Sequence, residues 1–117
     1  MTNTMELTVI RGPRYAVIRT EGYINNIGGE KVADESIRLV DEGIRHLVLN
    51  LEKTLVVNSV GISILIEIVE RLEGEGGSLA FCGVTPTIAK TFHIMRLTDF
   101  ASLHVSEAAA IAAVPPS

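Results

Sequence analysis

The 117-residue chain has one cysteine, no tryptophan, two tyrosines and three phenylalanines. A single thiol, Cys82, excludes an internal disulfide framework and fits a reducing compartment. No apolar run reaches the roughly 18 residues of a membrane helix; the longest candidate is broken by Glu67 and Glu70. The segment from Met1 to Glu6 has neither a basic flank nor an apolar core, so no secretory signal is expected. Positive charge is scarce: 10 Lys and Arg stand against 14 Asp and Glu, a formal net charge of −4, with pI near 5.3. That balance, without a basic stripe or interleaved aromatics, argues against nucleic acid as a partner. What the chain does have is apolar mass, 47% of residues with mean hydropathy +0.35. Disorder is excluded, and a chain this long can bury one core without staples. The expectation is a cytoplasmic, single-domain protein.

The ends lack structural signals. Residues 1–5 are polar and residues 114–117 contain a Pro-Pro pair, so both are expected to be flexible, with the domain spanning 6–113. Inside it, Leu7–Ile10 and Tyr15–Thr20 are rich in β-formers and flank Gly12-Pro13, which predicts a hairpin. Gly28-Gly29 precedes a helical pattern of Val32, Ala33, Ile37, Val40 and Ile44, with Gly43 near its end. His46–Leu51 is a continuous apolar run, predicting a central strand covered on both faces. A loop over 52–58 then leads to a helix over 60–73. Ser78–Cys82 is a second buried strand. Thr85-Pro86 has the cap and first-position chemistry of a helix start, with Ile88, Phe92 and Met95 as its apolar face. Leu103–Val105 is a short strand, and Ser106 caps a final alanine-rich helix over 107–113. The order β-β-α-β-α-β-α-β-α predicts an α/β fold, a small mixed sheet with helices packed on it.

Catalytic and metal constellations are missing. His46, His93 and His104 share no ligand spacing and Cys82 has no second thiol, so no metal site is expected. There is no Gly-x-Ser-x-Gly elbow. Glu67 and Glu70 lie on the outer stripe of a helix. Gly74-x-Gly76-Gly77 follows a helix and enters a strand, the reverse of a phosphate-binding order, and no Gly-Lys-Ser/Thr occurs. The expectation is no enzyme, no catalytic residue and no cofactor.

One local feature remains. Asn58-Ser59-Val60-Gly61 lies where a loop meets the apolar helix. Asn or Ser here is the expected N-cap. The same position exposes a hydroxyl near free N–H donors and the positive end of the helix dipole. A phosphate there would be tolerated by the fold and would add about −1.5 to −2 of charge. The helix that follows has about eight apolar residues in fourteen positions, more than one buried face needs. Either it is covered on nearly all sides, or some of Ile62, Ile66 and Val69 border an exposed patch, the usual mark of a partner surface.

Several segments in order resemble the sulphate-transporter and anti-sigma-factor-antagonist (STAS) domain, and within it the free-standing bacterial antagonists. They are the stretch from Tyr15 to Asn25, the strand His46–Leu51, Asn58-Ser59-Val60-Gly61, the run Ser78 to Gly83 with Thr85-Pro86, and Phe92 to Glu107. Asn58-Ser59-Val60-Gly61 stands where that family has Asp-Ser-Ser/Thr-Gly. The resemblance implies an anti-sigma-factor antagonist with Ser59 as phosphorylation site, set among Asn25, Asn58, Val60, Gly61 and Ile62. It implies as partners an anti-sigma factor that is a serine kinase, supplying ATP and Mg, and a phosphatase that resets Ser59. No membrane insertion is implied, and a homodimer is possible. Asn58 and Asn25 replace family aspartates, keeping shape while removing charge. The other readings are a STAS scaffold that is not phosphorylated, in a sensory or transport complex, and a nucleotide- or small-ligand-binding domain.

Overall fold

Residues 4–115 are described by the structure, a computed structural model. Two hairpin strands, β1 (Met5–Arg11) and β2 (Tyr15–Ile24), lead to helix α1 (Asn26–Asp41). Then come β3 (His46–Val57), α2 (Ser59–Gly74), β4 (Ser78–Cys82), α3 (Pro86–Ile94), a 3-10 turn (Leu97–Asp99), β5 (Ser102–His104) and α4 (Glu107–Ala112). The five strands lie in chain order, β1-β2-β3-β4-β5. β1 runs antiparallel to β2; every later pair is parallel. The predicted mixed α/β sheet with its β-β-α-β-α-β-α-β-α order is the fold observed.

Strand alternation explains the layers. Leu47, Leu49 and Leu51 of β3 point into the large core with Ile18, Leu79 and Phe81. Against them pack Val32 and Leu39 of α1, Ile62, Leu65, Val69 and Leu72 of α2, and Ile88 and Phe92 of α3. The Phe81 and Phe92 rings meet at 5.0 Å, tilted by 57°, a favourable offset geometry. The intervening residues face the other side. Val17, Val48 and Cys82 are covered there by Ala110 of α4. Hence β3 is the middle strand with side chains buried on both faces, as its unbroken apolar run implies.

Several boundaries differ from expectation. Met5, expected in a flexible terminus, opens β1 and is buried, and the Thr4 carbonyl accepts a hydrogen bond from the Tyr23 N–H at 3.0 Å. Residues 1–3 and 116–117 of the expected flexible ends lie outside the described residues. Gly28 and Gly29 stand inside the first turns of α1, not before it. A Cβ on Gly28 would strike the Tyr23 carbonyl, and one on Gly29 would sit 2.9 Å from Ile64 Cδ1. The glycines let α1 approach β2 and α2, at a cost in helix propensity.

The expected loop over 52–58 is strand for most of its length. β3 continues to Val57, paired with β2 across two register shifts that carry Ile24 opposite Val57. Its polar residues concealed this: Glu52 and Lys53 face solvent, while Thr54 is buried with its hydroxyl 2.6 Å from that of Thr20. Met95 is the exposed C-cap of α3 and not part of its buried face. Val105 falls outside β5 and is 94% exposed.

Candidate functional site

The ends of β2 and β3 are parallel neighbours, and each is followed directly by a helix. Their turns therefore lie side by side. Asn25 ends the first and Asn58 the second, and each is an N-cap. Asn25 Oδ1 accepts from the Gly28 N–H at 2.9 Å. Asn58 Oδ1 accepts from the Gly61 N–H at 2.8 Å. Both bonds satisfy a donor that the first helical turn leaves open. The two turns are stitched together: the Asn58 N–H donates to the Ile24 carbonyl at 3.2 Å.

Gly61 sets how closely they approach. Its Cα faces the Ile24 carbonyl so directly that a Cβ would collide with that oxygen. The α2 N-terminus is thus pressed onto the end of β2, and only glycine fits there.

Ser59 is the first residue of α2 and is exposed. Its carbonyl accepts from Ser63 Oγ at 3.0 Å, while its own hydroxyl makes no hydrogen bond to any of the described residues. With Asn58 as the cap, the open choice between Asn and Ser resolves, and the serine side chain stays exposed beside it. The N–H groups of Ser59 and Val60 precede the first intrahelical donors and face outward, adding partial positive charge.

The expected surroundings divide. Asn25, Asn58, Val60 and Gly61 adjoin Ser59 through the two turns; Val60 is 49% exposed. Ile62 does not belong with them. It is fully buried in the core, because position four of the helix turns back toward the sheet. Val69 is also buried and Ile66 half-buried, so the exposed patch does not run along α2. It lies across the turns instead. Ile27 in the first turn of α1 is 64% exposed, and Leu55 and Val56 near the end of β3 are also open. Sequence reasoning missed these three. The reading of 52–58 as a loop hid the end of β3, where alternation gives way after the register shifts and Leu55 and Val56 are exposed in succession.

Charge is missing from the same region. No ionisable side chain occurs in 22–29 except the phenol of Tyr23, and none in 54–66. A charge placed on Ser59 would have no local counter-charge on its own segment and little competition.

The remaining polar candidates have structural partners. His46 Nδ1 lies 2.8 Å from Ser78 Oγ, His93 Nδ1 3.1 Å from Thr98 Oγ1, and His104 Nε2 2.9 Å from Ser102 Oγ. Cys82 is buried, and burial pushes its thiol up to about 11, which makes it a poor nucleophile. Among the described residues no group of three or more His, Cys, Asp or Glu could hold a metal ion. No helix among them is long and apolar enough to cross a membrane.

Comparison with known proteins identifies the family and the fold. BtrV of Bordetella bronchiseptica, named for an anti-sigma-factor-antagonist role, is 28% identical over 109 residues, spanning 92% of this chain and 94% of that protein. An anti-sigma factor antagonist from Mycobacterium paratuberculosis superposes with TM-score 0.85 at 21% identity, covering 97% of each chain. SpoIIAA in its unphosphorylated form superposes with TM-score 0.73 at 19% identity, over 92% of this chain and 96% of that one. The phosphorylated Bacillus form gives 0.71 at 20%, over 93% and 97%. These structures share the fold. The sequence pattern of the STAS domain matches residues 4–110. The chain therefore belongs to the STAS domain family, whose anti-sigma-factor antagonists are regulatory proteins and not enzymes.

Proposed function

We propose that this chain is an anti-sigma-factor antagonist that binds an anti-sigma factor with serine kinase activity and is released when Ser59 is phosphorylated. The observation that carries this reading is the exposed, unbonded Ser59 hydroxyl at the start of a helix already capped by Asn58. Relatives support it: BtrV is named for an anti-sigma-factor-antagonist role, and SpoIIAA occurs in unphosphorylated and phosphorylated forms.

The chemistry follows from the site. Ser59 Oγ attacks the γ-phosphorus of the partner's ATP, the bond to the β-phosphate oxygen breaks, and ADP leaves. In this reading the serine proton passes to a group of the kinase, in keeping with the lack of any base over residues 54–66. Mg and ATP belong to the partner. In the unmodified state Ile27, Leu55, Val56 and Val60 present apolar surface to it, and burying them drives binding. The phosphate adds about −1.5 to −2 of charge beside that surface. Rebinding would then desolvate the charge, which opposes association. The helix itself accepts the phosphate, because the α2 N-terminus favours an anion. A phosphatase closes the cycle.

The asparagines at 25 and 58 keep both caps and leave the turns neutral, so the switch charge comes from the phosphate alone. Incubation with the cognate kinase and ATP, followed by mass spectrometry, is expected to place phosphate on Ser59. Ser59→Asp weakens kinase binding while Ser59→Ala retains it. Phosphate on another residue, equal affinities of the two variants, or binding unaffected by ATP would overturn the switch; the last would mark a constitutive scaffold.

A further inference from the structure

We infer that α4 is a hinged lid over the far face of the sheet, latched at Glu107 and able to open while the rest of the domain stays folded. Three observations meet here. First, α4 has six residues, well below the length at which a helix holds itself together in water. It persists through what it touches. Second, its apolar attachment is small: Ala110 is the buried residue of the helix, with Ile111 and Val114 half-buried beside it. Third, its polar attachment is concentrated at one carboxylate. Arg19 Nε donates to Glu107 Oε1 at 2.9 Å and Arg19 Nη2 to Oε2 at 2.8 Å, while Asn50 Nδ2 donates to Oε1 at 3.0 Å.

Arg19 and Asn50 are register partners on β2 and β3, so the sheet presents both donors as one fixed fork. The planar guanidinium matches a carboxylate bidentately, and such charge-assisted bonds are stronger than neutral ones. Val105 and Ser106, the two exposed residues between β5 and α4, make the hinge. Ser106 restarts the chain as a helix by accepting from the Ala109 N–H at 3.1 Å.

What the lid covers is apolar. Val17, Val48 and Cys82, each at most 1% exposed, lie beneath it with Ala80 and Tyr15 at the margin. Opening turns this strip into accessible surface without disturbing α1, α2 or α3, which pack on the opposite face. Elements held by few buried apolar contacts are the ones that open locally.

Cys82 reports the opening, since it is the chain's one thiol. The experiment follows the rate at which an excess of a disulfide reagent labels Cys82 in the folded protein, over a series of low urea concentrations. Global stability is measured in parallel by far-UV circular dichroism. In the wild type the labelling rate is expected to be nearly flat in low urea, because local opening exposes little surface. Arg19→Gln breaks the latch and is expected to raise that rate about tenfold while its dependence on low urea stays nearly flat. Glu107→Gln gives the same direction by a second route. A wild-type rate that climbs with urea as steeply as global unfolding would overturn the lid. So would variants that lose global stability yet label no faster than the wild type in low urea.

Discussion

Asn58 does two jobs at one position. Its side chain caps α2 and its N–H ties the turn to Ile24. Asn58→Ala removes the first and keeps the second, so it is expected to cost about 1 kcal/mol in urea denaturation. Gly61→Ala is expected to cost more than the cap, because the new methyl meets a carbonyl held by the sheet. Ser59→Ala should change stability by less than about 0.5 kcal/mol, as an exposed residue without partners does. Neighbouring positions separate folding from binding. Ile62→Ala opens a core cavity and is expected to destabilise by about 2–5 kcal/mol, with partner affinity unchanged once the folded fraction is accounted for. Val60→Ser is expected to do the reverse: near-native stability and weaker partner binding by titration calorimetry. Affinity loss in Ile62→Ala but not in Val60→Ser would place the binding face elsewhere.

Among the elements, the β2–β3–α4 junction carries a pH signature. The hydrogen bonds from Arg19, with that of Asn50, hold the Glu107 carboxyl down to about 2 from its ordinary 4.5. A depressed carboxyl stabilises the fold where it is ionised in both states. Its contribution is therefore complete above about pH 4.5 and lost as pH falls toward 2. The stability gap between wild type and Glu107→Gln is expected to be widest near neutrality and to close across that window, measured by urea midpoints at each pH. The Arg11–Glu42 pair is also bidentate, but both side chains are more than two-fifths exposed; solvent leaves such a pair little net worth. Elements were legible in the sequence wherever one rule sufficed. The run of apolar residues at His46–Leu51 and the Thr85-Pro86 start identified their elements directly. Legibility failed where two rules competed. Gly28-Gly29 looks like a helix boundary by propensity, but packing against Tyr23 and Ile64 needs those glycines within the helix. The polar Glu52-Lys53-Thr54 looks like a loop, but pairing with β2 after a register shift extends the strand. The serine at the start of α2 was legible; its exposed apolar neighbours were not, since Ile27 and Leu55 become surface only once both segments are placed.

At the scale of the molecule, the acidic composition acquires a location. The formal net charge of −4 would fall to about −6 on the proposed phosphorylation of Ser59, and the increment would land in a region with almost no ionisable side chains. The proposed partner would thus meet a local contrast rather than a change in a diffuse field. The stitch between Asn58 and Ile24 has a further consequence. The turns it joins are distant in the chain and become neighbours only when β2 and β3 pair. A kinase that engages both turns is reading a discontinuous epitope, and so reads whether its substrate has folded. A peptide of residues 54–64 is expected to be phosphorylated far more slowly than the intact domain at equal concentration; equal rates would refute this. Copies that fail to close the sheet would be silent in the pathway, neither sequestering the kinase nor consuming its ATP.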